Sequence, residues 1–378
     1  MEPLVWPGGN VRVLHTIAPG PVGGAESAVL GLSRGLAEAG AAVVVAALAD
    51  ASSGPFIDRA RAMGLPVEVL HSPGRNYLRD WSGLRRIIRE RRIEVVHTHG
   101  YRADMMGLLA ARSERRPCLA TAHGFTLGSR RNRLNQWLAV RALQRHDVVI
   151  AVSDPLAATL RSLGVAAGRV VPIRNAWRPP LEPLPSRAEA RATLGLEGEQ
   201  PVLGWVGRLS HEKGADIAVA ATARLAHADA HLVFVGDGRE RQALEAQVAA
   251  LGLGGRVHFM GMMPEAALLL PAFDALVLSS RTEGTPMILL EAIHAGVPII
   301  ASAVGGVPAM LSHGAGLLVP PEDAEALAHA IDQVLSDPVA AAARVVAARA
   351  QVAASYSPEE WVAQHLSLYQ RLMERHPH

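Results

Sequence analysis

Short β-branched runs alternate with longer helical patterns along the whole chain of 378 residues. This alternation is typical of parallel βαβ architecture, in which a helix returns the chain to the same edge of the sheet after each strand. In the first half, seven runs predict strands at Val11–His15, Val43–Leu48, Val67–Leu70, Val95–His99, Cys118–His123, Val148–Val152 and Val170–Arg174. In the second half, six runs predict strands at Val202–Val206, His231–Val235, Val257–Met260, Ala275–Ser279, Val297–Ala301 and Gly316–Val319.

A proline-rich stretch, Trp177–Arg187, separates the two series, and four prolines in eleven residues prevent regular structure there. We therefore expect an α/β fold of two Rossmann-like, doubly wound domains facing a cleft, the first over residues 1–178 and the second over 182–355. Ser357, Pro358 and Glu360 carry the signals of a helix start. The terminal helix, residues 358–378, is expected to complete the first domain.

Composition excludes several classes of protein. No uncharged apolar run approaches the roughly 18 residues that a membrane span requires. The opening MEPLVWPGGN lacks the basic and apolar regions of a secretory signal. A single cysteine, Cys118, excludes an internal disulfide framework and fits a reducing compartment, so we expect a cytoplasmic protein with Cys118 in a core strand.

Charge is distributed unevenly between the two halves. Residues 1–180 hold 24 basic and 13 acidic side chains, whereas the remainder holds 13 basic and 22 acidic ones. This asymmetry predicts an anionic partner for the first half, either a phospholipid surface or a phosphorylated acceptor, with a solvated arginine-rich surface as the alternative. The segment 130–145, with Leu134, Trp137, Leu138 and Val140 among five arginines, could attach peripherally to the inner face of a membrane or be a core helix.

Glycines and histidines follow several strands of the first half. Gly23 and Gly24 come after the first strand and precede a helix expected near Glu26, so their backbone could approach a phosphate or sugar, or form a plain tight turn. His99 and His123 stand at strand ends, where they are expected near the cleft or as structural histidines. A zinc site would need a third ligand at suitable spacing, and none is apparent, so we predict no metal.

In the second half, Arg208 and Lys213 flank the loop after the first strand, and Lys213 is the only lysine in the chain. Two cations there could bind both phosphates of a nucleoside diphosphate and stabilise it as a leaving group. The next loop, 236–238, is equally consistent with a plain turn.

The most specific stretch is SSRTEGTPMILLEAIHAGVPII, residues 279–300. Thr285 is expected to cap a helix whose first residue is Pro286, with Glu283 in the loop and Glu291 about two turns inside. An inward-facing Glu291 would need hydroxyl partners such as ribose, and amides of residues 284–288 would point at a phosphate or sugar hydroxyl. A solvated pair of acids is the alternative.

Together these segments resemble the family 4 glycosyltransferases of the GT-B fold, from about Val11 to the terminal helix. The resemblance rests on an E-x7-E pattern, on the glycines near the first strand and on the cations of the second half. The matching positions are Glu283, Glu291, Gly207-Arg208, Lys213-Gly214, Gly305-Gly306, Gly23-Gly24-Ala25-Glu26, the histidine of TAHG and Asn175 in PIRNAW. Thr285-Pro286 departs from the aromatic-glycine pair of many members, which leaves the transferred sugar open.

The resemblance implies a role for each of these positions. Arg208 and Lys213 correspond to the diphosphate clamp and Glu291 to the ribose acceptor, while His123 corresponds to a histidine that contacts the donor sugar. The resemblance also implies donor-sugar contacts for Glu283 and the amides of Gly284, Thr285 and Met287. From their places at strand ends and at a helix start, the remaining residues expected to bind substrate are Gly23, Gly24, His99, Asn175 and Ile288. Members of the family retain anomeric configuration and usually need no metal, which fits the absence of a D-x-D motif from the sequence.

The expected function is therefore transfer of a sugar from a nucleotide-diphosphate donor to a glycan or lipid-linked acceptor, as in polysaccharide biosynthesis. No cofactor and no nucleic-acid partner are expected. Two alternatives remain: a catalytically silent protein that binds a sugar nucleotide or a membrane, and an NAD-type oxidoreductase. The oxidoreductase is disfavoured because neither half contains GxGxxG followed by an acid about 20 residues later.

Overall fold

The computed structural model describes residues 11–20, 23–50, 53–71, 76–124, 130–177, 183–263 and 265–376, with side chains at all of them except 130–136. The chain forms two compact units. One comprises Met1–Ala176 together with Ser357–His378, and the other comprises Trp177–Tyr356. The boundary at Trp177 coincides with the first residue of the proline-rich stretch.

The first unit is built around a seven-stranded parallel sheet. Its elements are, in chain order, β1 (Arg12–Ile17), α1 (Gly24–Glu38), β2 (Ala42–Ala49), α2 (Gly54–Ala62), β3 (Val67–His71), α3 (Tyr77–Glu90), β4 (Val95–His99), α4 (Tyr101–Ser113), β5 (Cys118–Ala122), α5 (Arg130–Leu143), β6 (Val148–Ala151), α6 (Asp154–Ser162) and β7 (Val170–Pro172). The strand order is β3-β2-β1-β4-β5-β6-β7, and every pairing is parallel. All seven predicted strands are confirmed, with ends within two residues of those expected.

The order of this sheet reverses beside β1, which lies between β2 and β4. Loops from β1 and β4 therefore leave towards opposite faces, and such a switch point opens a crevice at the carboxyl ends of the strands. Ile17 at the end of β1 is the register partner of His99 at the end of β4. Cys118 begins β5 with only 1 % of its surface exposed, as expected for a core strand residue.

The second unit repeats the architecture with six parallel strands. Its elements are α7 (Arg187–Thr193), β8 (Val202–Val206), α8 (Ala215–Thr222), β9 (His231–Val235), α9 (Arg241–Ala250), β10 (Val257–Gly261), β11 (Ala275–Leu278), α10 (Met287–Ala295), β12 (Ile299–Ser302), α11 (Val307–Met310), β13 (Leu317–Val319), α12 (Ala324–Ser336) and α13 (Pro338–Ser355). The strand order is β10-β9-β8-β11-β12-β13, so the switch point lies between β8 and β11. The predicted six strands are confirmed.

The last helix, α14 (Pro358–Arg375), belongs to the first unit and packs on α1 and β4. Ser357 is its N-cap and accepts a hydrogen bond from the backbone N–H of Glu360, as the sequence predicts. Gly35 of α1 lets the helices approach, because a Cβ there would lie 2.6 Å from Cγ2 of Val362. Tyr369 is fully buried and reaches the sheet, where its hydroxyl lies 2.8 Å from Nδ1 of His97.

Helix α5 is the segment for which the sequence suggests a membrane surface. The side chains of its first seven residues, Leu134 among them, lie outside the described part of the chain. Of the others, Trp137 is 53 % exposed, and the Arg141 guanidinium stacks on its ring at 5.3 Å, while Leu138 and Val140 are half-buried. None of the described helices combines the length and the apolar character needed to cross a membrane.

Candidate functional site

The loop that follows β8 is fixed by backbone contacts with its neighbours. The N–H groups of Gly207 and Leu209 donate to the carbonyls of Val235 and Asp237, which join this loop to the end of β9. Gly214 then adopts a left-handed conformation with φ of 62°, and a Cβ there would lie 2.0 Å from the carbonyl oxygen of Ser279. Glycine is therefore required, because the loop packs backbone against backbone on the segment after β11.

Lys213 and Glu283 meet at the centre of this arrangement. Lys213 Nζ donates to Oε1 of Glu283 at 2.7 Å, and the Ser280 hydroxyl donates to the same oxygen at 2.7 Å. The Glu283 side chain is 5 % exposed, whereas that of Lys213 is 32 % exposed. Oε2 of Glu283 makes no hydrogen bond with another residue in the described ranges, so one carboxylate oxygen and the outer side of the ammonium remain available.

Arg208 lies at the start of the same loop and is exposed. Its guanidinium forms no ion pair or hydrogen bond with any residue that the structure describes. An exposed, unpaired guanidinium can donate two parallel N–H groups to the oxygens of a phosphate. The predicted pair of cations is therefore brought to one loop, with Lys213 held by a carboxylate and Arg208 open.

Arg281 holds the two sides of the site together, and sequence reasoning missed it. Its guanidinium donates to both carboxylate oxygens of Asp216, at 2.9 and 2.7 Å, and to the carbonyl of His211 at 2.8 Å. The Arg281 side chain is only 18 % exposed. It thus connects the loop after β11 to the start of α8. The sequence signal that could have identified Arg281 is a basic residue two positions before Glu283.

The start of α10 differs by one residue from the prediction. Pro286 is the N-cap, with ψ of 115°, and the helix begins at Met287, so the expected cap by Thr285 and first position at Pro286 are wrong. The extended ψ of Pro286 places it outside the helix. Glu291 is the fifth helical residue, about one turn inside the helix and not the expected two, and it is half-buried. The N–H groups of Met287 and Ile288, in the first turn, have no acceptor within the helix.

A second glycine contact shapes the loop before α10. The N–H of Gly306 donates to the carbonyl of Gly284 at 2.9 Å. Gly305 has φ of 55°, and a Cβ there would lie 1.8 Å from the carbonyl oxygen of Glu283. Gly284 and Thr285 are both buried beneath this contact. The loop that carries Glu283 is thus fixed from the β8 side by Lys213 and from the β12 side by the glycine pair.

In the first unit, the Gly23-Gly24 segment is already occupied by a carboxylate. Helix α1 begins at Gly24, two residues before the expected start near Glu26. Glu26 is 7 % exposed, and its side chain accepts hydrogen bonds from the N–H groups of Gly20 and Gly23 at 3.2 Å each. Since Glu26 supplies the negative charge that a helix N-terminus favours, an anion there would have to share these donors with it.

Histidines converge at the carboxyl edge of the first sheet. His97 and His99 share one face of β4, with ring centroids 4.2 Å apart, and His15 of β1 lies beside both. Burial lowers the pKa of His15 to about 3 and that of His123 to about 4, and it holds the pKa values of His97 and His99 well below the usual range. All these rings are uncharged at neutral pH.

The expectation that the sequence offers no third metal ligand is wrong, because His15 lies beside His97 and His99. One nitrogen from each of His15, His97 and His99 lies within 4.8 Å of the others. Sequence spacing could not reveal the group, because His15 comes from a different strand, 84 residues before His99. His99 also has no nitrogen left for a substrate, since its two ring nitrogens face His15 and His123 at 2.9 and 3.2 Å. Its expected direct contact with substrate is therefore not supported.

Asn175, the remaining predicted position, is 4 % exposed in the segment after β7, at the same carboxyl edge of the first sheet as the histidines. The candidate residues thus form two groups, one in each unit. The cations, the two glutamates and the α10 amides belong to the second unit, and the histidines, Asn175 and the Gly23-Gly24 segment belong to the first.

Family profiles match both halves of the chain. Residues 22–177 match the profile described as Glycosyltransferase Family 4, and residues 186–351 match that described as Glycosyl transferases group 1.

Two curated relatives cover most of the chain. It is 31 % identical over 360 residues to the 2-deoxystreptamine N-acetyl-D-glucosaminyltransferase of Streptomyces fradiae, which spans 84 % of this chain and 83 % of that protein. It is also 31 % identical over 310 residues to D-inositol 3-phosphate glycosyltransferase 1 of Catenulispora acidiphila, spanning 74 % and 73 %. Among solved structures, Anabaena HepE in complex with UDP-glucose shares the fold, with a TM-score of 0.82, 24 % identity and coverage of 95 % of this chain and 100 % of that one.

Proposed function

Because this chain belongs to glycosyltransferase family 4, we propose that it transfers a sugar from a nucleoside diphosphate sugar to an acceptor hydroxyl, with retention of anomeric configuration. The observation that carries the proposal is the meeting of Lys213 and Glu283, beside Arg208, at the carboxyl edge of the second sheet. These residues follow β8 and β11, the two strands that flank the switch point, where ligands of doubly wound sheets bind.

The cations bind the diphosphate in this proposal. An ammonium carries three N–H donors, and Lys213 uses one of them for Glu283, so the ion pair orients the side chain and leaves donors for phosphate oxygens. Arg208 supplies a second, exposed positive group. As the bond between the anomeric carbon and the phosphate oxygen breaks, its electron pair leaves with the diphosphate, and both cations stabilise the added charge.

The carboxylates recognise the two ends of the donor. Oε1 of Glu283 is held by Lys213 and Ser280, while its Oε2 is available to accept hydrogen bonds from hydroxyls of the transferred sugar. Glu291, one turn inside α10, accepts from the ribose hydroxyls, and the amides of Gly284, Thr285, Met287 and Ile288 face the donor. The HepE complex with UDP-glucose supports a donor of this class.

In the first unit, we assign acceptor binding to the edge that carries Asn175 and the Gly23-Gly24 segment, and a contact with the transferred sugar to His123. The acceptor oxygen attacks the anomeric carbon from the face that the diphosphate leaves, and its proton passes to the departing phosphate oxygen. No side chain is assigned as a covalent nucleophile. A glycan or a lipid-linked saccharide supplies the hydroxyl.

The experiment that tests this function is a thermal-shift screen against UDP, GDP, ADP and dTDP, followed by release of nucleotide from sugar donors carrying the best-binding base. We expect one diphosphate to raise the Tm and a matching sugar nucleotide to be turned over, with the product anomer identified by NMR. Absence of stabilisation by all four diphosphates, or a product of inverted configuration, would contradict the proposal.

A peripheral membrane contact is the second part of the proposal, because residues 1–180 carry the excess of basic side chains and Trp137 is exposed beside Arg141 on α5. Attraction to anionic lipid is worth about 1 kcal/mol per basic residue near the surface and is screened by salt. We expect sedimentation with phosphatidylserine vesicles and not with phosphatidylcholine vesicles at low salt, reduced by Trp137→Ala. Equal sedimentation with both lipids would remove this part.

A further inference from the structure

Three histidines form a hydrogen-bonded chain that ends at His123. Nδ1 of His15 lies 2.9 Å from Nε2 of His99, and Nδ1 of His99 lies 3.2 Å from Nε2 of His123. His15 and His99 are buried, whereas His123 is a partly exposed residue. At the two ends, His15 Nε2 and His123 Nδ1 are buried atoms without a hydrogen-bond partner in the described parts of the chain.

The distances favour hydrogen bonds over a metal site among these rings. Two nitrogen ligands of one tetrahedral zinc ion, each about 2.0 to 2.1 Å from the metal, lie about 3.3 Å apart. Nδ1 of His15 and Nε2 of His99 are closer than that and fit a shared proton. His97, the third member of the possible metal-binding group, has both ring nitrogens engaged, with Thr121 at 2.7 Å and Tyr369 at 2.8 Å.

Neutral imidazole carries one N–H and one bare nitrogen, which couples the three rings. If His99 carries its proton on Nδ1, it donates to His123 Nε2 and accepts from His15 Nδ1, so all three rings are Nδ1–H tautomers. If His99 carries its proton on Nε2, all three rings are Nε2–H tautomers. These are the only two arrangements that keep both hydrogen bonds.

The two arrangements differ in where the unpaired N–H lies. In the Nε2–H arrangement it lies on His15, which has no exposed surface. In the Nδ1–H arrangement it lies on Nδ1 of His123, which is also buried and unpaired but belongs to a residue that is partly exposed, so that a bound ligand could supply its acceptor. Buried N–H groups without an acceptor are rare because they cost most of a lost hydrogen bond, which favours the Nδ1–H arrangement once a ligand accepts from His123.

We propose that His99, backed by His15, is a positioning residue that holds His123 in the Nδ1–H tautomer, so that His123 presents a hydrogen-bond donor to an oxygen of the transferred sugar. The part that concerns the sugar rests on the proposed function, whereas the coupling of the three rings does not. A sugar hydroxyl both donates and accepts, so the tautomer of His123 decides which of its groups is recognised. Fixing the tautomer in advance removes a rearrangement at the moment of binding.

The coupling is tested by NMR on the ligand-free protein labelled with ¹⁵N-histidine. We expect His15, His99 and His123 to show a protonated Nδ1 and a bare Nε2, with scalar couplings between nitrogens across both hydrogen bonds. An Nε2–H tautomer at any of the three positions, missing couplings, or a stoichiometric transition metal in the purified protein would overturn the proposal.

Substitutions test which residue sets the tautomer. His99→Leu removes the donor to His123 Nε2, so the His123 resonances should move towards the Nε2–H tautomer. His97→Leu is the matched control, because His97 is also buried on the same strand and its ring contacts that of His99, but its hydrogen bonds go to Thr121 and Tyr369. It should leave His123 unchanged. A shift of His123 in both variants, or in neither, would contradict the assignment.

Kinetics test the contact with the sugar, with the most active of UDP-glucose, ADP-glucose, GDP-mannose and dTDP-glucose as donor. His99→Leu should lower kcat/KM about fivefold, as for one lost neutral hydrogen bond. Combined with His123→Ala it should cause no further loss, since it acts through His123. Additive losses in the double variant would overturn the positioning role. If none of these donors is turned over, the proposed function is contradicted while the NMR result still decides the coupling.

Discussion

Nζ of Lys213 lies 2.7 Å from Oε1 of Glu283, so the residue predicted to bind phosphate and the residue predicted to bind the sugar form one ion pair. The two residues are 70 positions apart and come from the loops after β8 and β11. Glu283 is nearly buried, and the same carboxylate oxygen also accepts a hydrogen bond from the Ser280 hydroxyl. Each residue therefore supports the other, and a change at either one has a structural as well as a catalytic effect.

Replacing the lysine separates these two effects. We expect Lys213→Ala to lower kcat/KM by about 10² to 10³, because one preorganised charge at the leaving group is lost. It should also lower the free energy of unfolding by about 1 to 2 kcal/mol, less than for a fully buried pair because the lysine is partly exposed.

The control for this prediction is Lys213→Ala combined with Glu283→Gln. It removes the uncompensated carboxylate, so the Tm should recover while the activity stays low. Recovery of activity in the double variant, or near-normal turnover in folded Lys213→Ala, would contradict a catalytic role for the cation.

The two glutamates should differ in kinetic effect. Glu291 is assigned to ribose, which does not react, so Glu291→Gln should mainly raise the donor KM. Glu283 is assigned beside the transferred sugar, where positive charge accumulates, so Glu283→Gln should lower kcat and kcat/KM together. Titration of the free nucleoside diphosphate should detect the Glu291 change and much less of the Glu283 change. The opposite pattern would reverse the assignment.

The first unit should lose stability in mild acid. Burial lowers the pKa values of His123, His146 and His365 to about 4 and that of His15 to about 3, below the ordinary 6.5. Between about pH 6 and 4 the unfolded chain therefore binds protons that the folded protein does not, and each such histidine costs about 1.4 kcal/mol per pH unit. Asp104, with a pKa raised by burial to about 7, opposes this as a single group.

Thermal unfolding followed across this range checks the prediction. The Tm should fall steeply as the pH drops from about 6 to 4, with the sign set by the histidines because they outnumber the one opposing acid. A Tm that stays constant or rises on acidification would show that the histidines are not buried as neutral rings.

The fold and most of the site positions could be predicted from local sequence. Runs such as Val43–Leu48 are buried on both faces and so carry a continuous apolar signal, which fixes strands to within two residues. Positions at strand ends follow directly, because parallel strands bring all their carboxyl ends to one edge. This is why Arg208, Lys213 and Glu283 could be assigned to one region before their contacts were known.

What could not be predicted depends on register and on side-chain direction. His15 stands within β1, and only the pairing of β1 with β4 reveals that it adjoins His97 and His99. The Lys213–Glu283 pair likewise requires the loops of two strands to be placed together. Local sequence does not locate the start of α10, because Thr285 and Pro286 are both good helix-start residues and the extended ψ of Pro286 is a property of the fold.

The most direct test of the account is calorimetric titration of the best-binding nucleoside diphosphate and its monophosphate into the wild type, Arg208→Ala and Lys213→Ala. Arg239→Ala is the control for a general loss of positive charge, because Arg239 is exposed after β9 and pairs with Glu212 of the loop that carries Arg208 and Lys213. If Arg208 and Lys213 bind the diphosphate, both variants should lose about 10- to 100-fold in affinity for the diphosphate, as for a charged hydrogen bond, and less for the monophosphate, which lacks the second phosphate. Equal losses for both nucleotides, or unchanged affinity for the diphosphate, would contradict the proposed diphosphate site.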